Sequence, residues 1–206
     1  MKFNLGGQLH LLNMTKISQL YELYNFHNIV NHFSLLLEPY NFTLKSETTR
    51  LSSDELIDIF RYSNEDFKIN IFYEKKYSIQ SDIDLVRIKC DSSHSNYYRP
   101  DHIIEIFNLS KNTKNYWILD SKYSSKDNVK NRAWNECIGK YILNTGVYNQ
   151  TYQKIEDLTL LFPKGSREDK VNDSFYKPSI QILGSSPSHS DELLTYISNI
   201  VANHIE

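Results

Sequence analysis

A chain of 206 residues with 40% apolar and 23% charged residues can bury one sizeable core, and that mix excludes a disordered or fibrous protein. The formal net charge of -2 excludes the broad basic excess with which proteins that bind duplex DNA unaided release counterions, so any nucleic-acid contact is expected to be local or shared with a partner. Two distant cysteines, Cys90 and Cys137, stand outside any C-x-x-C spacing and suggest neither a disulfide framework nor a zinc site; with no signal peptide and no membrane span in the pattern, a reducing cytoplasm fits best.

Apolar residues recur at Ile17, Leu20, Tyr21, Tyr24, Val30, Phe33 and Leu37, the spacing of an amphipathic helix over 16–37 with Thr15 as its cap and Pro39 marking its end. Asn25-Phe26-His27-Asn28 contains weak helix formers and predicts a bend or break there. Segments rich in β-branched and aromatic residues follow at Phe42 to Leu44, Leu56 to Phe60, Phe67 to Tyr77 and Ile83 to Ile88. They read as strands, with Ser53-Asp54-Glu55 equally suited to opening a short helix. After a polar loop at Asp91 to Asn96, two strong strands occupy His102 to Leu109 and Tyr116 to Tyr123, joined by the polar turn Ser110 to Asn115.

A second long helix is expected over Asp127 to Leu143, with Asp127 as N-cap and Asn144-Thr145-Gly146 as stop signal. Strands at Leu158 to Phe162 and Ser179 to Leu183 and a last helix beginning after Ser188 or Ser190 complete the chain. This order predicts an α/β fold: one domain over 1–206, with a mixed β-sheet flanked by helices, an N-terminal helix and β-rich part at 1–80 and a core carrying the chemistry at 81–206.

Chance alone supplies about two acid-x-Lys tripeptides at this composition, so such a match means little in isolation. Asp66-Phe67-Lys68, Glu74-Lys75-Lys76, Glu168-Asp169-Lys170 and Asp120-Ser121-Lys122 all fit. Only the last directly follows a strongly apolar strand, Tyr116-Trp117-Ile118-Leu119, and has an acid, Asp101 after Pro100, at the head of the preceding strand. Alternation sends Asp120 and Lys122 to one face and Ser121 to the other, and a hairpin through Ser110 to Asn115 brings Asp101 towards them. Two carboxylates and a Lys at one sheet end are costly unless a cation sits between the acids. Mg²⁺, with Mn²⁺ as substitute, is the natural candidate, and Lys122 adds a point charge for the same phosphate oxygens. His102 adjoins Asp101 but points the other way, as a packed or surface residue does.

Tyr98-Arg99-Pro100-Asp101 followed by Ile118-Leu119-Asp120-Ser121-Lys122-Tyr123 resembles the PD-(D/E)xK nuclease core of McrC-like proteins, subunits of modification-dependent restriction systems. The likeness extends to Leu20-Tyr21-Glu22, to Ile71 through Tyr77 and to Leu160-Leu161-Phe162-Pro163. It implies a restriction-endonuclease-like fold, Mg²⁺-dependent cutting of DNA and an AAA+ NTPase partner that binds or translocates DNA. It also implies an acid on the first helix, matched by Glu22, that completes a metal set of Asp101, Asp120, Ser121 and Glu22; Glu105, four residues after Asp101, is its rival.

The helix after the Lys sometimes carries Gln-x-x-x-Tyr in this superfamily; here Cys137 replaces the Gln ahead of Tyr141, and Glu136 and Lys140 form another four-residue pair. Lys126, Lys130, Arg132 and Lys140, with Tyr141, make this segment a candidate DNA-backbone surface. The resulting expectation is a DNA endonuclease of a prokaryotic restriction or anti-phage system, acting as a dimer or as two copies on a larger assembly to cut both strands. The alternatives are a repair or RNA-directed nuclease of the same fold, or a non-catalytic DNA-binding or assembly subunit.

Overall fold

The structure, a computed structural model, describes residues 17–52, 55–79, 83–88, 97–149, 151–163, 171–173, 178–188 and 191–205. The expected Thr15 cap, the 91–96 loop and the 168–170 tripeptide lie outside them. Helix α1 spans Ile17–Leu37 and buries Tyr21, Asn25, Phe26, Ile29, Val30, Phe33 and Leu37, a three-and-four spacing that forms one continuous face. The bend expected at 25–28 does not occur. Asn25 turns inward and exchanges its weak helix propensity for two buried hydrogen bonds, an example of tertiary context overriding propensity. Glu38-Pro39-Tyr40 tightens into a 3₁₀ turn, and Asn41, at φ 56°, ends the helix in the left-handed conformation that Asn tolerates.

Eight strands form the main sheet: β1 (Thr43–Ser52), β2 (Glu55–Ser63), β3 (Phe67–Tyr73), β5 (His102–Asn108), β6 (Thr113–Ser121), β9 (Asp157–Phe162), β10 (Val171–Asp173) and β11 (Ser179–Gly184). Their order is β1-β2-β3-β5-β6-β9-β11-β10. The first five are antiparallel, β6, β9 and β11 run parallel, and β10 returns antiparallel at the edge. A second sheet joins β4 (Leu85–Arg87), β7 (Thr145–Asn149) and β8 (Thr151–Gln153). The N-terminal part and the core therefore share one sheet. Glu55 lies in a strand and opens no helix, and β3 stops at Tyr73 because Glu74 takes φ 49°. Strands β7, β8 and β10 were not anticipated; segments of three to five residues are too short for an alternating pattern to stand out.

Between β6 and its parallel neighbour β9 lies helix α2, a continuous run over 126–143 that alternates α turns with π turns at Val129–Ala133 and Ile138–Leu143. Its N-cap is Ser125 rather than Asp127: the Ser125 hydroxyl accepts from the Asn128 amide at 3.4 Å. At the other end Asn144, Thr145 and Lys154 donate to the open carbonyls of Gly139, Lys140 and Ile142, which explains why Asn144-Thr145 stops the helix. Helix α3 spans Asp191–His204. Among the described residues no helix is long and apolar enough to cross a membrane.

The sheet carries a core on each face. On one, α1 and α3 cover Ile69, Ile71, Ile104, Trp117 and Leu119. On the other, Val129, Cys137 and Tyr141 of α2 pack with Ile103, Tyr116, Ile118, Leu158 and Leu160. β5 and β6 feed both cores through alternation, so both were detectable as long apolar runs. Replacing the fully buried Ile118 with Ala is expected to cost about 2–5 kcal/mol of stability, read as a lower denaturant midpoint at unchanged slope in urea unfolding.

Candidate active site

The last pairs of β5 on β6 set His102 opposite Leu119. One residue further, Asp101 and Asp120 meet at the sheet end. Asp101 Oδ2 accepts the Ser121 backbone N–H at 2.6 Å, Asp120, only 3% exposed, is ion-paired through Oδ1 to Lys122 Nζ, and Lys122 N donates to Leu161 O of β9 at 2.7 Å. The hairpin thus brings together the three residues that its alternation predicted.

Ser121 faces the other way. Its hydroxyl accepts from Asn25 Nδ2 and contacts His102 Nε2, each at 3.0 Å. Asn25 Oδ1 accepts from the Ser185 hydroxyl at 2.6 Å, and Tyr21 OH donates to Ser185 O at 2.9 Å. Tyr21 and Asn25, one helical turn apart, therefore clamp α1 to the ends of β6 and β11. Glu22, beside Tyr21, is carried to the sheet end. His102 is fully buried between the rings of Phe26 and Tyr73, and burial lowers its pKa to about 3, so it stays neutral. It is a packed residue, as its orientation predicted.

Electrostatics reveal the same convergence. Burial raises the Asp101 pKa well above the carboxylate range, and the charges of Asp120 and Glu22 raise it further against Lys122. Glu22 is raised to about 7 by burial first, then by Glu74 and Asp120, with Lys122 and Arg99 opposing. Desolvation lowers the Lys122 pKa, but Asp120 and Asp101 outweigh it and keep the ammonium charged. Burial, reinforced by Asp120, raises Cys137 and Tyr141, so both stay protonated.

Cys137 Sγ lies 3.9 Å from Asp120 Oδ2. Cys137 and Tyr141, in the places the sequence compared with Gln-x-x-x-Tyr, both turn into the core beside Asp120. Tyr141 is 4% exposed and has no face for a nucleic acid. The basic side chains of α2 divide: Lys130 and Arg132 are exposed, Lys126 is half-buried, and Lys140 pairs with Glu136. Glu105 does not join the cluster. Its carboxylate is held by Asn70 Nδ2 at 2.6 Å and by Tyr116 OH, and four strand residues separate it from Asp101 by roughly 13 Å.

Sequence reasoning passed over Glu74 and Arg99, which form an ion pair at 3.5 Å and whose charges both act on Glu22. Glu74 N donates to Asp101 O at 2.8 Å, and its positive φ ends β3; a non-Gly residue in that conformation often marks a functional site. The usable signal for Asn25 was an Asn inside an apolar helical stripe.

The donor chemistry of Asp101, Asp120 and Glu22 suits a hard divalent cation: oxygen ligands, mutual repulsion, and a single lysine to compensate. Among the described residues no three His, Cys, Asp or Glu side chains already converge closely enough to enclose one. The acids are in electrostatic contact, with Asp120 drawn onto Lys122. No protein-family model, curated protein or solved structure matches the chain.

Two outcomes follow from the geometry. Asn25→Ala strands the Ser185 hydroxyl in a buried site, leaves Ser121 Oγ with His102 alone, and is expected to lower stability by about 1–3 kcal/mol, measured by urea unfolding. Glu22 binds more proton folded than unfolded between its ordinary 4.5 and about 7, so its contribution to stability is complete below 4.5 and disappears as pH rises through 7. Glu22→Gln is expected to flatten the fall in unfolding free energy across that window; an unchanged pH slope refutes the assignment.

Proposed function

We propose that this chain is a metal-dependent PD-(D/E)xK endonuclease that hydrolyses phosphodiester bonds in DNA, serving as the cutting component of a prokaryotic restriction or anti-phage system. The observation carrying this reading is the packing of Asp101, Asp120 and Lys122 at one sheet end, with Glu22 delivered to them by a clamped helix. Buried like charges raise the Asp101 pKa, an arrangement that is unfavourable for folding alone and typical of sites built for chemistry.

Asp101, Asp120 and Glu22 would hold Mg²⁺ or Mn²⁺, which supplies Lewis-acid polarisation of a phosphate oxygen and a lowered pKa for bound water. Lys122, kept charged by its acids, offers a cation to a phosphate oxygen as negative charge builds there. Protonated Cys137 and Tyr141 wall the buried side of Asp120, limiting solvent on that face. A net charge of -2 agrees with an AAA+ NTPase partner that provides most of the affinity for DNA, and two copies would serve the two strands.

One observation favours a second reading, a DNA-binding or assembly subunit that has kept the fold: Asp120 is already ion-paired with Lys122. Purified protein incubated with plasmid, linear and single-stranded DNA plus Mg²⁺ or Mn²⁺ and a partner NTPase separates the two. Cutting that falls at least about 100-fold in Asp120→Asn and in Lys122→Ala supports the nuclease. Intact DNA under every condition supports the second reading, and cutting that survives both substitutions excludes this site.

A further inference from the structure

The sheet face that carries Asp101 and Asp120 continues past them into a cleft of 490 Å³, within the roughly 300–1,000 Å³ typical of ligand clefts. Five of its lining residues are cationic, Lys45, Arg61, Lys68, Lys75 and Lys114, and one is acidic, Glu105. Strand pairing creates this concentration: Lys45 lies opposite Arg61, Arg61 opposite Asn70, and Asn70 opposite Glu105, so successive strands present their polar residues on one face. Glu105 is the one acid of the lining, and Asn70 and Tyr116 hold its oxygens. Lys114 pairs with Asp84 at the rim, at 2.7 Å, while Lys45 and Lys68 have no carboxylate partner among the described residues.

Like charges gathered in one cleft of a protein with net charge -2 repel one another, and a row of anions relieves that repulsion. The cleft's Lys75 end follows Glu74, whose charge acts on Glu22, while the buried Ile103 separates Glu105 from Asp101 on their shared strand face. The volume of the cleft suits one strand rather than a duplex, and its cations line it as a backbone-tracking groove requires.

We infer that this cleft binds the phosphate backbone of a single nucleic-acid strand. The inference takes its ligand class from the nuclease reading, but it concerns binding and not cutting.

The test is fluorescence anisotropy of the full chain with a labelled single-stranded DNA oligonucleotide in EDTA, across a salt series. Wild type is expected to bind with affinity that falls with salt. Lys45→Ala and Lys68→Ala, both exposed and checked for unchanged unfolding midpoints, should each weaken binding and reduce the log–log salt slope by about 0.7, the value for one lost single-strand phosphate contact. Lys111→Ala, an equal charge change at the exposed hairpin turn, should leave both unchanged. No binding by wild type, equal weakening by Lys111→Ala, tighter binding of duplex than of single strand, or equally effective competition by polyglutamate each overturns the inference. DNA cutting by a protein whose binding ignores Lys45 and Lys68 overturns the cleft and spares the nuclease; Lys68-dependent binding without cutting does the reverse.

Discussion

The pairing of β5 with β6 holds the half-buried Asp101 beside the buried Asp120, and much of the site depends on that register. With His102 opposite Leu119, Asp101 reaches the Ser121 amide and Asp120 stays within the field of Asp101. A slip of one residue would move Asp120 and Lys122 to the opposite face and put Ser121 in their place. The apolar sides of both strands oppose that slip, because Ile103, Ile104, Ile118 and Leu119 are all fully buried, on two different cores.

Ser121 joins these two sides. Its neighbours Asp120 and Lys122 face α2, while its own hydroxyl faces α1 and is gripped by Asn25 and His102. The same few atoms therefore fix the orientation of the hairpin end and the seat of the helix bearing Glu22. A neutral, buried imidazole suits that position because it adds a polar contact without another charge beside acids that already repel.

Charge is distributed unevenly in this molecule. The acids Glu22, Glu74, Asp101 and Asp120 gather at one sheet end around Lys122 and Arg99, and basic residues of β1, β2, β3 and β6 gather further along the same face. The small net charge thus conceals two strong local fields of opposite sign.

From the sequence alone came whatever depends on neighbours within one strand or helix: the long helices from three-and-four spacing, the central strands from apolar runs, and the shared face of Asp120 and Lys122 from alternation. The hairpin was legible too, since a short polar turn leaves two adjacent strands little choice but to pair. Asn25 was misread because its partners, Ser121 and Ser185, stand 96 and 160 residues away, and local propensity carries no information about them. Glu105, on the strand face of Asp101, rivalled Glu22 in the sequence, but Tyr116 and Asn70, on the flanking strands, hold it away from the cluster. The approach of Glu22 to the acids, the part played by Glu74 and Arg99, and the basic cleft were likewise decided by tertiary structure. Each depends on which strands and helices lie side by side, and charges from separate elements act together only when folding brings them within a few ångströms in a desolvated place.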